Sequence, residues 1–339
     1  MAPVWGWRTA TERALYGPDG FFVRHAPAEH FRTSVTASPL FAAAIARLAQ
    51  RVDDALGHPD RLDIVDVGAG GGELLLGLAA ALPARIQDRT RFTAVELAPR
   101  PDDVPDWIGW TAEPPSGVFG LLVATEWLDN VPVDVAEVDE AGKPRLVLVE
   151  PPTGVERLGD PPTALDAAWL EHWWPLGPEP GTRAEIGHPR DTAWVAAVAT
   201  VRRGLALAVD YGHLAAARPA HGTLTGYREG RQVPPLPDGS CDVTAHVAID
   251  AVAAAGAAVA GAGPEVLTQR EALRALGVAG RRPALALAET DPAGYLRALS
   301  AASEAAELTA PDGLGGHFWV LQPVGVTLDE SPFPSTVIL

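Results

Sequence analysis

The chain has 339 residues, a length that suits two domains or one large α/β unit. Hydrophobic residues make up 47% and charged residues 20%, a globular composition that excludes wholesale disorder. The net charge of −17 argues against a general binder of nucleic acid or anionic membranes. The single cysteine, Cys241, excludes an internal disulfide and a multi-cysteine metal site.

The chain shows no spacing typical of a metal site and no membrane-spanning segment. The nine histidines are scattered, so we expect no bound metal. The most apolar segment, 245–261, is interrupted by His246 and Asp250 and is shorter than the roughly 20 residues that span a bilayer, so it predicts an amphipathic helix. The first residues lack the apolar stretch of a signal peptide. We expect a soluble, cytoplasmic protein with no nucleic-acid or membrane partner.

Helical and strand patterns alternate along most of the chain. Apolar residues recur at helical spacing over 38–56, where Ser38 and Pro39 form a good N-cap and first-turn pair. A second helix pattern opens at Glu73. Strand patterns occupy four places: 62–67, 91–96, 121–124 and 205–209. This alternation predicts a largely parallel sheet covered on both faces.

Residues 137–191 interrupt the alternation and predict an insertion over the sheet. They are rich in Pro and Gly, and they carry Trp169, Trp173 and Trp174 on a short helical piece. A later helix is predicted over 291–308, begun by Asp291 and Pro292. The predicted segments are an N-terminal helical segment that contributes to the site, a core in two parts, an inserted cap and a tail: 1–60, 61–136 with 192–326, 137–191 and 327–339.

The sharpest pattern is the glycine turn Asp66-Val67-Gly68-Ala69-Gly70-Gly71-Gly72-Glu73, which joins a strand to a helix. Its glycines let the backbone approach a ligand, and Glu96, at the end of the next strand, can accept hydrogen bonds from ribose hydroxyls. The candidate cofactor-binding residues are therefore Asp66, Gly68, Gly70, Gly72 and Glu96.

The acids around this turn decide between two cofactor classes. A dinucleotide would need glycine where Glu73 stands, and Glu73 and Asp66 would repel its diphosphate. S-adenosylmethionine carries an ammonium, a carboxylate and a sulfonium but no phosphate, so the pattern favours it. A tight turn that binds no ligand stays the alternative.

Further blocks follow the same order along the chain as those of a known family. They include 14–22, 31–34, Thr125-Glu126-Trp127-Leu128-Asp129-Asn130, Asp210-Tyr211-Gly212-His213 and Asp242-Val243-Thr244-Ala245-His246. With them the chain resembles the MidA-type S-adenosylmethionine-dependent methyltransferases, which include a mitochondrial complex I assembly factor that methylates a protein arginine. The resemblance implies a doubly wound, Rossmann-like α/β sheet of class I methyltransferases with a helical N-terminal segment and an inserted cap. It also implies S-adenosylmethionine as cofactor and adds Thr33 to the cofactor-binding residues.

The chain departs from the family pattern at four places. A Pro-Glu pair is replaced by Val35-Thr36, a Gly-Asp pair by Glu29-His30, an Asn by Thr125 and a His by Gly230. The cofactor turn is thus better preserved than the acceptor side.

Five residues are candidates for catalysis on an arginine acceptor, which needs carboxylates that grip the guanidinium. Glu126 follows a strand at the carboxyl edge of the sheet, and an acid followed by Trp resembles the guanidinium-holding loop of arginine methyltransferases, so it is the main candidate. Asp129 or Glu185 is the second carboxylate. Tyr211 could line the acceptor channel and His246 could accept a proton. The alternatives are a helix N-terminal acid for Glu126 and structural roles for the others.

Three other features are interpreted structurally. Asp242 is expected to cap a helix that starts there, and Cys241 to be a small packed residue. The tryptophans of 169–174 are expected to pack in a core, with a patch for docking a partner as the alternative.

Three functions remain open from the sequence. The resemblance implies a protein methyltransferase, plausibly directed at arginine, with a protein substrate as its partner. A methyltransferase of the same fold that acts on a small molecule is the second, and labelled methyl would then enter the low-mass fraction. A non-catalytic assembly protein is the third, favoured by the departures at Val35-Thr36 and Thr125. The acceptor and the oligomeric state stay open.

Overall fold

The computed structural model of the protein describes residues 4–24 and 33–328. The strands of these residues are β1 (Trp5–Gly6), β2 (Leu62–Val67), β3 (Thr90–Val95), β4 (Ile108–Thr111), β5 (Val118–Thr125), β6 (Val135–Val138), β7 (Pro144–Glu150), β8 (Val155–Leu158), β9 (Arg183–Glu185), β10 (Val201–Asp210), β11 (Gly212–His213), β12 (Thr225–Arg228), β13 (Arg231–Val233), β14 (Asp242–Thr244), β15 (Val247–Ala248), β16 (Glu265–Thr268) and β17 (Phe318–Val324).

The helices of the described residues are α1 (Trp7–Tyr16), α2 (Phe21–Arg24), α3 (Ser34–Ala37), α4 (Pro39–Ala55), α5 (Glu73–Ala81), α6 (Ala84–Gln87), α7 (Ala164–Trp173), α8 (His188–Ala199), α9 (Ile249–Ala260), α10 (Gln269–Ala275), α11 (Ala286–Thr290) and α12 (Pro292–Leu308). The departure at Glu29-His30, part of the 31–34 block and most of the predicted tail lie outside the described residues.

The chain divides into two compact units, each built from three stretches. Unit 1 comprises Met1–Phe31, Glu126–Ala197 and Asp210–Val259, and unit 2 comprises Arg32–Thr125, Val198–Val209 and Ala260–Leu339. The predicted cap, 137–191, falls inside unit 1, which also takes residues on both sides of it.

Unit 2 contains a seven-stranded sheet in the order β16-β17-β10-β5-β2-β3-β4. Strands β10, β5, β2, β3 and β4 run parallel, and β17 runs antiparallel to β16. The four strand patterns of the sequence correspond to β2, β3, β5 and β10, so the predicted parallel sheet is confirmed. Every residue of β2 is buried, as expected for a parallel strand covered on both faces.

The helices of unit 2 begin where their capping residues predict. The side chain of Ser38 accepts a hydrogen bond from the Leu40 amide (3.1 Å) at the start of α4, and Asp291 accepts one from the Gly294 amide (2.8 Å) at the start of α12. The buried face of α4 packs with α5 and the sheet in one apolar core that includes Phe41, Ile45, Leu48, Leu75, Leu78, Ile64, Leu121 and Leu205.

The described residues of unit 1 form three smaller sheets and also pack in apolar cores. The largest sheet joins β1, β7, β6 and β9 in that order, with β8 also paired to β7. A second joins β13, β12 and β14, and a third pairs β11 with β15. One core contains Trp169 and Trp174, which are 7% and 3% exposed. Trp173 packs against it, as the packing interpretation of these tryptophans expects.

Two expectations near residue 245 are wrong. The helix predicted over 245–261 begins at Ile249, because Val247 first pairs with Gly212 in a short parallel ladder. Asp242 caps no helix, since it opens β14, where it is paired with Tyr227. Among the described residues, no helix is both long and apolar enough to cross a membrane.

Candidate active site

The turn between β2 and α5 requires glycine at several positions. Gly68, Gly70 and Gly72 have φ values of 73°, 55° and 82°, a left-handed region that other residues enter only at a cost. A Cβ atom at Gly71 would lie 2.5 Å from a carboxylate oxygen of Glu73. The turn therefore presents bare backbone, which a ligand can approach closely.

Glu73 already binds one of the amides that a phosphate would need. Its carboxylate accepts a hydrogen bond from the Gly71 N–H (3.0 Å) in the first turn of α5. Phosphates bind at helix N-termini through such free N–H groups, and a second anion there would be repelled. The geometry thus gives a physical reason for the predicted preference for S-adenosylmethionine over a dinucleotide.

Glu96 follows β3 and ties the glycine turn to the next loop. Its Oε2 accepts a hydrogen bond from the Gly70 N–H (3.0 Å), and its Oε1 accepts from the amides of Leu97 (2.7 Å) and Ala98 (3.0 Å). One carboxylate therefore fixes the position of two backbone segments. The ribose contact expected of Glu96 stays a prediction.

Asp66, at the end of β2, has a buried oxygen with no partner. The side chain is 2% exposed, and its Oδ1 makes no hydrogen bond within the described part of the chain. Burial, and then the charges of Glu73 and Glu96, raise the pKa of Asp66 well above its usual range. An unsatisfied buried acceptor costs about 1–3 kcal/mol, so a cationic donor on a ligand would explain it. The ammonium of S-adenosylmethionine is such a donor, and the residues of the turn fit this cofactor.

Thr33 caps α3 rather than standing free. Its hydroxyl accepts a hydrogen bond from the Thr36 amide (3.2 Å), and its own amide donates to the Thr36 hydroxyl (3.0 Å). Thr36 is one of the departures from the family pattern, and here it completes a capping box. The cofactor contact predicted for Thr33 stays a prediction.

In unit 1, the residues after β5 form a turn that Asp210 holds. Glu126 has a φ of 49°, a conformation that costs a non-glycine residue on the order of 1–3 kcal/mol and that clusters at functional sites. Asp210 is 2% exposed and accepts hydrogen bonds from the amides of Leu128 (2.9 Å), Asp129 (3.3 Å) and Tyr211 (3.0 Å). These bonds explain how the strained turn persists.

Asp129, Tyr211 and Thr244 form a triangle of close polar contacts. The hydroxyl of Thr244 donates to Asp129 Oδ2 (2.7 Å), the hydroxyl of Tyr211 donates to the same oxygen, and the two hydroxyl oxygens lie 2.5 Å apart. Asp129 is 4% exposed, and its Oδ1 is buried with no partner among the described residues. The structure thus brings together two of the predicted residues and adds Thr244.

Arg190, at the start of α8, is a buried cation that binds backbone carbonyls of the described residues. Its guanidinium donates to the carbonyls of Asp129 (2.6 Å), His246 (2.8 Å) and Val131 (3.2 Å), and it is 2% exposed. No carboxylate of the described residues lies within ion-pair distance of it. Burial lowers the pKa of Arg190, against the effect of the nearby carboxylates.

Glu185 and His246 are linked through Thr223, whose hydroxyl donates to Glu185 and accepts from the His246 amide (2.9 Å). Glu185 accepts hydrogen bonds from the amides of Thr223 (2.6 Å) and Leu224 (3.0 Å) and from the Thr223 hydroxyl (3.2 Å), so its carboxylate holds that turn. The ring of His246 lies 5.2 Å from that of Tyr211. Burial, and then Arg190, lower the pKa of His246, which keeps the imidazole neutral. The catalytic roles of Glu185 and His246 stay predictions.

Arg190 and Thr244 were missed as site residues by sequence reasoning. Thr244 lies in a block that the sequence analysis singles out, but a hydroxyl carries no chemical signal by itself. Its partner Asp129 is 115 residues away along the chain. Arg190 belongs to no recognisable motif. Its hydrogen bonds to carbonyls depend on tertiary contacts that bring the segment after β5 and the segment at His246 to the start of α8.

Comparisons with known proteins agree with this arrangement. The family model Methyltransf_28, described as "Putative S-adenosyl-L-methionine-dependent methyltransferase", matches residues 44–268. The chain is similar to a solved COG1565 superfamily member from Burkholderia thailandensis bound to S-adenosyl-homocysteine, at 25% identity and a TM-score of 0.78 over 98% of this chain and 92% of that one. A native structure of a COG1565 superfamily protein from the same organism gives 25% identity and a TM-score of 0.76 over 98% and 91%. No curated protein matches the chain. These likenesses confirm the predicted Rossmann-like methyltransferase fold.

Proposed function

The chain belongs to the family of S-adenosyl-L-methionine-dependent methyltransferases, and from that premise we propose that it methylates an arginine side chain of a partner protein. The cofactor is S-adenosylmethionine, which when bound supplies a methyl group activated by a sulfonium. The backbone of the glycine turn, Asp66 and Glu96 would hold it. The order of blocks shared with the MidA-type family supports a protein arginine as the acceptor.

The observation that carries the proposal is an excess of buried carboxylates in unit 1. Asp129, Asp210, Asp242 and Glu185 are each at most 5% exposed. Burial raises the pKa of Asp129 and of Asp210 and the positive charge of Arg190 acts to lower it, but one cation does not balance four buried carboxylates. Burying unpaired charge is costly, so such a cluster either takes up protons or binds an added cation. A guanidinium satisfies a carboxylate with two parallel hydrogen bonds, which makes arginine a suitable acceptor.

The hydrogen bonds of these carboxylates single out one of them. Asp210 and Glu185 bind backbone amides, and Asp242 accepts a hydrogen bond from the Asn130 side chain (2.9 Å). Asp129 alone among the four has a buried oxygen that makes no bond within the described part of the chain. We therefore assign the first contact with the acceptor to Asp129 and keep Glu126 as the second carboxylate.

Glu126 suits that second role by its place in the chain. It directly follows β5, at the carboxyl edge of the parallel sheet where ligands of open α/β folds bind. Its left-handed backbone conformation is a local cost that a purely structural turn could avoid with glycine.

The test is the chemical form in which transferred methyl is recovered. The purified protein would be incubated with S-adenosylmethionine labelled in its methyl group and with a cell lysate. Protein and low-mass fractions would then be counted, and the protein fraction hydrolysed to amino acids. We expect label in protein as methylarginine, reduced about 10²–10⁴-fold in Asp129→Asn.

Two other results would reject the proposal. Label confined to the low-mass fraction would identify a small-molecule methyltransferase. No transfer by a protein that binds S-adenosylhomocysteine would identify a non-catalytic relative that retains the fold.

A further inference from the structure

We propose that Asp129 Oδ1 accepts the proton that the acceptor nitrogen loses on methylation, and that Tyr211 and Thr244 are positioning residues that aim this oxygen. The proposal rests on the proposed function, because it names the proton acceptor of that same reaction. It is carried by the asymmetry of the hydrogen bonds around Asp129.

Both hydroxyl donors bind the same oxygen of the carboxylate. Thr244 lies 2.7 Å from Asp129 Oδ2, and Tyr211 donates to that oxygen too, while Oδ1 stays buried and without a partner in the described residues. A carboxylate oxygen can accept about two hydrogen bonds, so Oδ2 is saturated. Two donors on one side also fix rotation about the Cβ–Cγ bond and leave Oδ1 at a defined position.

The triangle is built from three backbone segments, two of which are held by the same carboxylate, because Asp210 accepts from the amides of Asp129 and Tyr211. Asp129 lies in the turn after β5, where Arg190 binds its carbonyl at 2.6 Å. Tyr211 follows β10, and its amide is bound by Asp210 (3.0 Å). Thr244 ends β14, where it is paired with Thr225 of β12. The backbone of each of the three residues is therefore fixed by bonds to its surroundings, as a preorganised catalytic group requires.

The proton balance of the reaction calls for such a base. The acceptor nitrogen forms a bond to the methyl carbon while the carbon–sulfur bond breaks and leaves its electron pair on sulfur. The nitrogen gives up one proton to Asp129 Oδ1, so the guanidinium keeps its single positive charge and the carboxylate becomes neutral. The proton then leaves to solvent when the product departs.

The surroundings of Asp129 suit a reversible proton acceptor. Burial raises its pKa, while hydrogen bonds from Tyr211 and Thr244, the charge of Arg190 and, least, the backbone amide of Asn130 lower it. The other titratable groups that act on it are Asp210, Asp242 and His246.

The Tyr211 hydroxyl stays a donor throughout this proton transfer. Burial, and then the charges of Asp129 and Asp210, raise its pKa well above the usual range. It therefore remains protonated at any pH at which Asp129 titrates.

The experiment follows the Asp129 carboxyl directly, without an acceptor. Carbon NMR of protein labelled at the aspartate carboxyl would be recorded against pH, with the Asp129 signal assigned by its loss in Asp129→Asn. Tyr211→Phe and Thr244→Val each remove one hydroxyl donor at nearly constant shape. We expect each to raise the Asp129 pKa by about one unit, since a lost donor destabilises the carboxylate. Thr244→Ser keeps the hydroxyl and should match the wild type.

The second readout is the pH profile of arginine methylation. Because Asp129 must be deprotonated to accept a proton, its pKa sets the acid limb, which should move to higher pH in the same two variants. Tyr227→Phe, a change in β12 outside the triangle, is the matched control and should leave the limb in place. Calorimetry with S-adenosylhomocysteine verifies that each variant is folded.

The outcomes separate this proposal from the proposed function. An unchanged Asp129 pKa in folded Tyr211→Phe and Thr244→Val overturns the positioning roles. Arginine methylation that is equally fast in Asp129→Asn overturns the proton acceptor and leaves the proposed function standing. A wild type that transfers no methyl to arginine overturns the proposed function itself.

Discussion

Asp66 and Glu96 flank the same glycine turn, but they are bonded in different ways. Asp66 Oδ1 is buried and accepts no hydrogen bond from the described residues, whereas the Glu96 carboxylate accepts hydrogen bonds from three backbone amides. We expect Asp66→Asn to weaken S-adenosylhomocysteine binding about 10- to 100-fold through loss of a charged contact. Glu96→Ala should weaken it comparably by releasing the turn. Calorimetric titration measures both.

The control for these two variants is a carboxylate away from the turn. Asp88→Asn, at the exposed C-terminus of α6, should bind as the wild type does. Wild-type affinity in Asp66→Asn would show that the unpartnered oxygen does not contact the cofactor.

For single residues, the sequence predicts which acidic side chains belong to the site better than it predicts their hydrogen-bond partners. Asp66, Glu96 and Asp129 stand in recognisable blocks, directly after predicted strands. The role of Glu185 is less accessible, because its partners, the amides of Thr223 and Leu224, lie 38 and 39 residues away and have no side-chain signal. Contacts to backbone depend on tertiary folding, so a pattern of residue types does not reveal them.

The hairpin between β12 and β13 explains one departure from the family pattern and supports a stability prediction. Its two-residue turn has φ values of 52° at Glu229 and 71° at Gly230, as in a type I′ turn, so the family's histidine would be strained at the second position. Asn tolerates this conformation better than Glu does. We expect Glu229→Asn to raise the free energy of unfolding by about 0.5–1 kcal/mol, measured by urea denaturation.

Two companion variants make this result specific to the backbone. Glu229→Ala removes the same charge without favouring the left-handed region, and it should not stabilise. Gly230→His should destabilise. Equal stability of all three variants would show that the turn conformation does not limit stability.

Elements with their own capping signals were predicted well. The helices α4 and α12 begin at the residues that Ser38 and Asp291 indicate. The segment from Asp242 was predicted poorly, since an alanine-rich run is compatible with helix throughout. Strand partners elsewhere in the chain decide that its first residues pair instead. Tertiary pairing overrides local preference there.

For the whole molecule, the buried carboxylates predict a stability that falls from mildly acidic to neutral pH. Burial, opposed in part by a hydrogen bond from Trp169, raises the pKa of Asp191 to about 7, and Asp66 and Asp210 are raised as well. A carboxylate with a higher pKa in the folded than in the unfolded chain stabilises the fold below its unfolded pKa, and it loses this contribution as pH rises through the folded pKa.

In stronger acid, stability is instead lost as the pH falls, because of Asp53. Burial acts to raise the pKa of Asp53, but hydrogen bonds from Arg89 and His58 lower it overall. Asp53 therefore stabilises the fold above its pKa in the unfolded chain, and this stabilisation is lost as the pH falls through its pKa in the folded chain.

Thermal unfolding from pH 3 to 8 measures these contributions. We expect maximal stability between about pH 4 and 6, and a loss on the order of 2 kcal/mol or more between pH 5 and 8 that Asp191→Asn reduces, while the loss due to Asp66 and Asp210 remains. A wild type whose stability does not change from pH 5 to 8 would contradict the assignment.

The fold of the whole chain was predictable because strands, turns and blocks recur in one order. The alternation of patterns indicates the parallel sheet, and the resemblance indicates its class. The division into units was not predictable, because it depends on contacts among three separate stretches in each unit. A sequence pattern of single elements contains no information about such grouping.

The interleaving of the two units constrains how the protein can be made. The chain passes from one unit to the other after residues 31, 125, 197, 209 and 259. During synthesis on the ribosome, the last stretch of unit 1 emerges before β16 and β17, which occupy one side of the unit 2 sheet. All residues of unit 1 have therefore been synthesised before the unit 2 sheet can receive its last two strands. No single cut in the gene would separate one unit from the other. A gene fusion that transfers one unit to another protein must therefore transfer both units.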